Sequence, residues 1–156
     1  MNKYLFIILA AVLTAAFLPP AASAKFPLPE YVHTISQLAE AQEQARQSGK
    51  VLAFVCTNKE SSCALTSAAS EEVFAGLKDH SVLVYVELNN VDNLPTLAAA
   101  ALNSAAAGEQ LPKTAVISSD LRTLIDLLPD LDEPLLRAAR IKETQEKIAK
   151  YMQEQQ

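Results

Sequence analysis

Val51-Leu52-Ala53-Phe54-Val55-Cys56-Thr57-Asn58-Lys59-Glu60-Ser61-Ser62-Cys63 holds five consecutive apolar residues before its first cysteine, and it contains both cysteines of the chain. The run Val51 to Val55 carries no charge, which predicts a strand buried on both faces of a parallel or mixed sheet. The polar residues after Cys56 predict a loop, with Ser61 or Ser62 placed to cap a helix that opens at Cys63. A strand, a polar loop and a cysteine at a helix start suit thiol chemistry, because a helix N-terminus favours the thiolate.

Upstream, Thr34 and Gln37 form a capping-box pair. Ile35, Leu38, Ala39, Gln42 and Ala45 then recur at helical spacing, which predicts a helix over residues 35–48. Gly49 suits the left-handed position that ends it. Residues 25–33, with Pro27 and Pro29, read as an extended leader. Residues 1–24 have the pattern of a secretory signal: Lys3, the apolar run Leu5 to Leu18, and Ala22-Ser23-Ala24 as an A-x-A cleavage site. The apolar run is shorter than the roughly 20 residues that span a bilayer, so a cleaved signal is expected and no membrane association after it.

Downstream, Leu65, Ala69, Val73 and Leu77 recur every fourth residue, predicting an amphipathic helix from Cys63 to Leu77. Ser70-Glu71-Glu72 inside it looks like a second helix start and predicts an interruption near Ala69 and Ser70. Ser81 to Leu88 predicts the second strand, Leu94 to Ala107 an alanine-rich helix, Thr114 to Ser118 the third strand and Leu121 to Leu128 the fourth. The short polar link Ser119-Asp120 predicts that the last two strands pair as an antiparallel hairpin. Pro134 suits the first turn of a final helix that runs to Met152, with residues 153–156 fraying. The expected fold is α/β, helix-strand-helix-strand-helix-strand-strand-helix, with a four-stranded mixed sheet and helices on both faces.

The chain has 13 Lys and Arg against 18 Asp and Glu, a net charge of -5. That balance, without basic clusters and with few aromatics, argues against nucleic acid and against an anionic membrane surface as partners. Export makes an even pair of cysteines more often joined than free.

The order of elements and the residues at two places resemble the thioredoxin superfamily, over Thr34 to Met152. In that family a buried strand such as Val51 to Val55 leads to a Cys-x-x-Cys at a helix start, and a cis proline precedes the third strand beside it. Leu111-Pro112-Lys113-Thr114 stands in the second place, and the resemblance implies a loop there, Leu111 to Lys113, that binds extended peptide through its backbone. The first place is altered. Glu60-Ser61-Ser62-Cys63 stands where the Cys-x-x-Cys belongs, so Glu60 occupies the position of the attacking cysteine and only the second sulfur, Cys63, is kept. A carboxylate cannot attack a disulfide, and Glu60 is expected to oppose a thiolate at Cys63.

Three readings of the cysteines are open: a structural disulfide between Cys56 and Cys63, worth about 2–3 kcal/mol for so short a loop; two buried free thiols; or a reversible redox pair. Lys59 and Lys113 either frame an acidic ligand near the loop or are solvated surface lysines. His33 and His80 lack acidic or cysteine partners at ligand spacing, so neither a metal nor another cofactor is expected. The expectation is an exported thioredoxin-like protein without the nucleophilic cysteine. It would serve as a binding or structural module of the cell envelope, its partner an extended peptide or envelope protein at the Pro112 loop. The competing expectation is an unconventional thiol-disulfide oxidoreductase or redox sensor that uses Cys56 and Cys63 as catalytic residues.

Overall fold

The charge-free runs build the middle of the sheet. In the computed structural model, which describes residues 26–155, β2 (Val51–Cys56) and β3 (Ser81–Val86) are buried along their whole length. The predicted signal, residues 1–24, lies outside the described residues. β1 (Val32–Thr34) pairs parallel with β3, β3 parallel with β2, β2 antiparallel with β4 (Lys113–Ile117), and β4 antiparallel with β5 (Leu124–Leu128). The sheet is therefore mixed and five-stranded, in the order β1-β3-β2-β4-β5.

Helices cover both faces, and the period-2 alternation of strand side chains decides what each helix meets. Leu52, Phe54 and Cys56 of β2 point to the face packed by α1 (Leu38–Ser48) and α3 (Thr96–Leu102). Val51, Ala53 and Val55 point to the opposite face, packed by α2 (Ala64–Leu77) and α4 (Pro134–Glu154). The last two strands do form the expected hairpin, with Ala115 opposite Leu127 and Val116 opposite Asp126.

Several boundaries differ from the sequence reading, each for a local reason. The leader contains a fifth strand: Val32 and Thr34 flank His33, and this short segment aligns with Leu83 to Tyr85 at the sheet edge. The Thr34–Gln37 pair is made, with the Thr34 amide donating to Gln37 Oε1 at 3.0 Å. It opens a 3-10 turn, Ile35–Gln37, and α1 starts only at Leu38. α2 runs unbroken through Ser70, whose hydroxyl donates to Thr66 O at 2.7 Å and so satisfies itself within the helix. The alanine-rich segment gives only the seven residues of α3, between 3-10 turns at Leu88–Asn93 and Ala105–Ala107. Ser104 turns its hydroxyl onto Ala101 O at 2.7 Å, a local bond that competes with helix continuation. β4 is shifted one residue earlier than expected at both ends, and β5 begins three residues late. Ser118 Oγ accepts from the Arg122 and Thr123 amides, and Leu121 takes a positive φ of 64, so these residues form a turn instead of strand. α4 continues through Gln153 to Glu154, two residues beyond the expected end at Met152.

α2 and α4 pack closely at Gly76. A Cβ there would lie 2.5 Å from Ile141 Cγ2. Alanine would gain about 1 kcal/mol of helix propensity, but it would meet a β-branched side chain with little rotamer freedom, and overpacking costs about 1–3 kcal/mol. Gly76→Ala is expected to lower stability in urea denaturation despite the better propensity; a more stable variant would show that the helices separate without cost.

Candidate functional site

The loop after β2 organises itself through short polar side chains. Thr57 continues the ladder by donating its amide to Val86 O at 3.0 Å, and its buried hydroxyl meets Ser70 Oγ of α2 at 2.7 Å. Asn58 Oδ1 accepts the Glu60 amide at 3.0 Å, and Ser61 Oγ accepts the Cys63 amide at 3.1 Å. These bonds deliver Cys63, not a serine, to the N-cap of α2.

The Cys63 thiol is exposed. The Thr66 amide, then the Thr66 hydroxyl and the Leu65 amide, act on its sulfur and hold its pKa below the ordinary thiol value. These are first-turn donors that a helix leaves without intrahelical partners, and a thiolate satisfies them. The net direction at Cys63 is downward, opposed only by a smaller effect of desolvation, and Glu60 is not among the groups that act on the sulfur. Alkylation of the native protein by iodoacetamide should therefore rise with pH through a midpoint below that of the same thiol after unfolding in guanidinium; a midpoint no lower than in the unfolded chain would mean the amides do not reach the thiolate.

Cys56 is in the opposite situation. It is fully buried on the α1/α3 face, whereas the helix that Cys63 opens packs on the other face. Of the three readings, the structure shows neither a bridge nor a buried pair: both cysteines stand as free thiols. The alternation along β2 supplies the reason: Cβ of Cys56 is turned away from α2, and a disulfide needs converging Cβ vectors. Burial pushes the Cys56 pKa up to about 11, against a smaller opposing effect of Lys113, its cross-strand neighbour.

The Leu111–Pro112 peptide bond is cis. Pro112 is buried, and Leu111 stands half-buried between two clefts. One, of about 510 Å³, contains Cys63, Leu65 and Thr66; the other, of about 440 Å³, contains Glu60, Glu87 and Leu88. Asn58 and Leu111 line both, so the two clefts flank Leu111, with Cys63 in one and the exposed Glu60 in the other. Leu65, 80% exposed, and Leu88, 55% exposed, give them apolar rims.

Lys113 is neither a surface lysine nor part of either cleft's lining: it is buried and donates its Nζ to Gly108 O at 3.3 Å. Lys59 lies over the Tyr85 ring, its Nζ 5.8 Å from the centroid. His33 Nε2 is bonded to Gln44 Oε1 at 2.7 Å, outside both clefts. Among the described residues, no group of three His, Cys, Asp or Glu side chains converges as metal ligands.

Sequence reasoning missed the third wall, made by Asp130, Asp132 and Arg137. Arg137 is buried; its Nε lies 3.4 Å from Glu72 Oε2 but has no hydrogen-bond partner. Asp130 Oδ1 is also buried without one, and burial raises the Asp130 pKa, opposed by the Arg137 charge and reinforced by Asp132. A signal was present. Arg137, Ile141, Thr144 and Ile148 form the buried stripe of α4, and an arginine on such a stripe calls for a reason. No protein-family model matches the chain, and no curated protein matches it in sequence.

Proposed function

We propose that this chain is an exported protein of the thioredoxin superfamily that binds an extended polypeptide segment in the clefts that flank Leu111 and runs no two-cysteine exchange cycle. The observation that carries the reading is the pair of clefts on either side of Leu111, next to the cis Leu111–Pro112 bond, with one exposed thiol in the first of them. The element order, the helices on both faces and the proline before β4 support the superfamily resemblance, while Glu60 at the attacking position removes the first sulfur. The fifth strand, β1, is a short parallel addition at the edge next to β3 and leaves the central pairing of β3, β2 and β4 unaltered.

The competing reading needs Cys56 and Cys63 to exchange electrons. Cys56 lies inside the sheet with a pKa pushed to about 11, on the face away from α2, and this counts against it. The test is disulfide turnover with insulin and dithiothreitol, run beside peptide titration followed by NMR. The expected outcome is turnover at the background rate and shift changes clustered at Asn58, Cys63 and Leu111. Turnover well above background that disappears in Cys56→Ser would establish the oxidoreductase instead.

A further inference from the structure

We propose that the protein pairs with a second copy of itself through the N-terminal half of α4, the two helices lying antiparallel across a two-fold axis. This surface is separate from the clefts beside Leu111, and the pairing does not depend on what binds there.

The first observation is an inversion of the usual helix pattern. In Pro134-Leu135-Leu136-Arg137-Ala138-Ala139 the one charged residue is buried, at 7% exposure, and the five apolar residues are all exposed. Leu135 is 85% exposed and Leu136 54%. The buried stripe Arg137, Ile141, Thr144 and Ile148 fixes the side of α4 that lies on the domain. With 3.6 residues per turn, Leu135 and Ala139 project from the opposite side, and Leu136 and Ala138 from its two flanks. A single exposed leucine needs no explanation. Two adjacent ones, on a face that carries no polar side chain for almost two turns, mark a surface that something covers.

The second observation is the charge at the two ends of that face, and it selects the occupant. Glu133 stands before the face and Lys142, on the same outward side, after it; both are exposed. Among the described residues neither joins an ion pair, whereas Arg140, Glu143 and Lys147 are engaged with one another and with Asp126. Within one helix Glu133 and Lys142 are about 13–14 Å apart along the axis and cannot meet. An identical helix running the other way brings them together. With Ala138 and Ala139 at the two-fold axis, the small side chains let the backbones approach, and Leu135 of each copy packs on the aliphatic stem of Lys142 of the other. The ammonium of that lysine then lies within a turn of Glu133, and symmetry makes every contact twice. Parallel helices would set like charges side by side. A partner segment of one charge sign would match one end of the face and be repelled at the other. The face is small, so the pair belongs to the weak, transient class of interfaces.

Sedimentation velocity of the purified protein is followed from roughly 10 μM to 1 mM, the range that suits a weak interface. Reductant is present, so that no disulfide between two Cys63 residues is counted as a dimer. The expected result is a monomer that shifts to dimer as concentration rises, and a shift that Leu135→Gln abolishes. Glu133→Lys and Lys142→Glu should each weaken the dimer about tenfold, since two attractive contacts become repulsive. Mixing these two variants should restore association to about the wild-type level, because each contact between them again joins opposite charges. All three positions are exposed, so the variants should keep the wild-type circular dichroism and urea midpoint. A monomer at every concentration, a dimer indifferent to Leu135→Gln, or no rescue on mixing would each overturn the proposal. So would a monomer that binds neutral phosphatidylcholine vesicles through Leu135, which would give the face to a membrane instead.

Discussion

Asp126→Ala is expected to destabilise the protein by about 3–5 kcal/mol, the usual cost of removing one partner from a buried ion pair. Asp126 sits on β5 with its side chain only 6% exposed. Arg140 grips it with two bonds of 2.7 Å, Thr144 Oγ1 donates at 2.7 Å and Lys147 Nζ at 3.0 Å. Burial by itself raises the carboxyl pKa, but the bonds from Arg140, Thr144 and Lys147 outweigh it and hold the group at about 2. A folded pKa below the unfolded one contributes stability that is fully present above the unfolded value, near 4, and is lost as pH falls through the folded value. The drop from 3.8 to about 2 corresponds to about 2 kcal/mol of pH-dependent stability. The alanine variant should lose that and also leave the Arg140 guanidinium, 19% exposed, without its principal partner. Lys147 is 41% exposed and contributes less, since water screens it. Urea denaturation at pH 7 and at pH 3 measures both parts: the gap between wild type and Asp126→Ala should narrow at the lower pH. A gap below about 1 kcal/mol at pH 7 would assign the cluster to the weak class of surface pairs.

Phe74→Ala should cost a similar amount, about 3–5 kcal/mol, through a cavity. Phe74 is fully buried on the sheet-facing side of α2, among Val51, Val55, Leu83 and Ile148. Neighbouring strands and α4 hemmed by the Gly76–Ile141 contact restrict collapse around the void. Its ring also meets Phe26, centroid to centroid 6.2 Å at 45°. A double-mutant cycle between the two should give a coupling of about 0.5–1.5 kcal/mol, which would tie residues before β1 to the folded unit. Near-zero coupling would leave Phe26 as a passive cover.

These two positions differ in how readily the sequence declares them. Phe74 falls one residue after the Leu65-Ala69-Val73-Leu77 rhythm, so its burial follows from helical spacing. Asp126 lies inside an apolar run, where one carboxylate reads as an outward-facing strand residue; its partners are 14 to 21 positions away on α4 and no local pattern links them. The same contrast runs through the candidate site. Cys63 at a helix start, Glu60 in the loop and Pro112 before β4 were legible because each sits at a junction between elements. Arg137 was signalled only by its place on the apolar stripe of α4, and Asp130 by nothing local, because its nearness to Arg137 follows from how α4 packs on α2. The cysteine pairing stayed open in the sequence because the spacing of Cys56 and Cys63 does not say which helices cover which face of the sheet. Counting along β2 from Val51, Cys56 falls on the even positions with Leu52 and Phe54, and all three turn to α1 and α3.

The most direct test is a count of reactive thiols in the purified protein, without prior reduction, by an aromatic disulfide reagent before and after unfolding in guanidinium. One sulfur per chain should react at once in the native protein, assigned by peptide mapping to Cys63. The second, Cys56, should appear only on unfolding, with no added reductant needed. Two fast native thiols would place Cys56 within reach of the clefts; none until reduction would mean that the two sulfurs are joined, and either result would contradict a single addressable thiol beside the Pro112 loop.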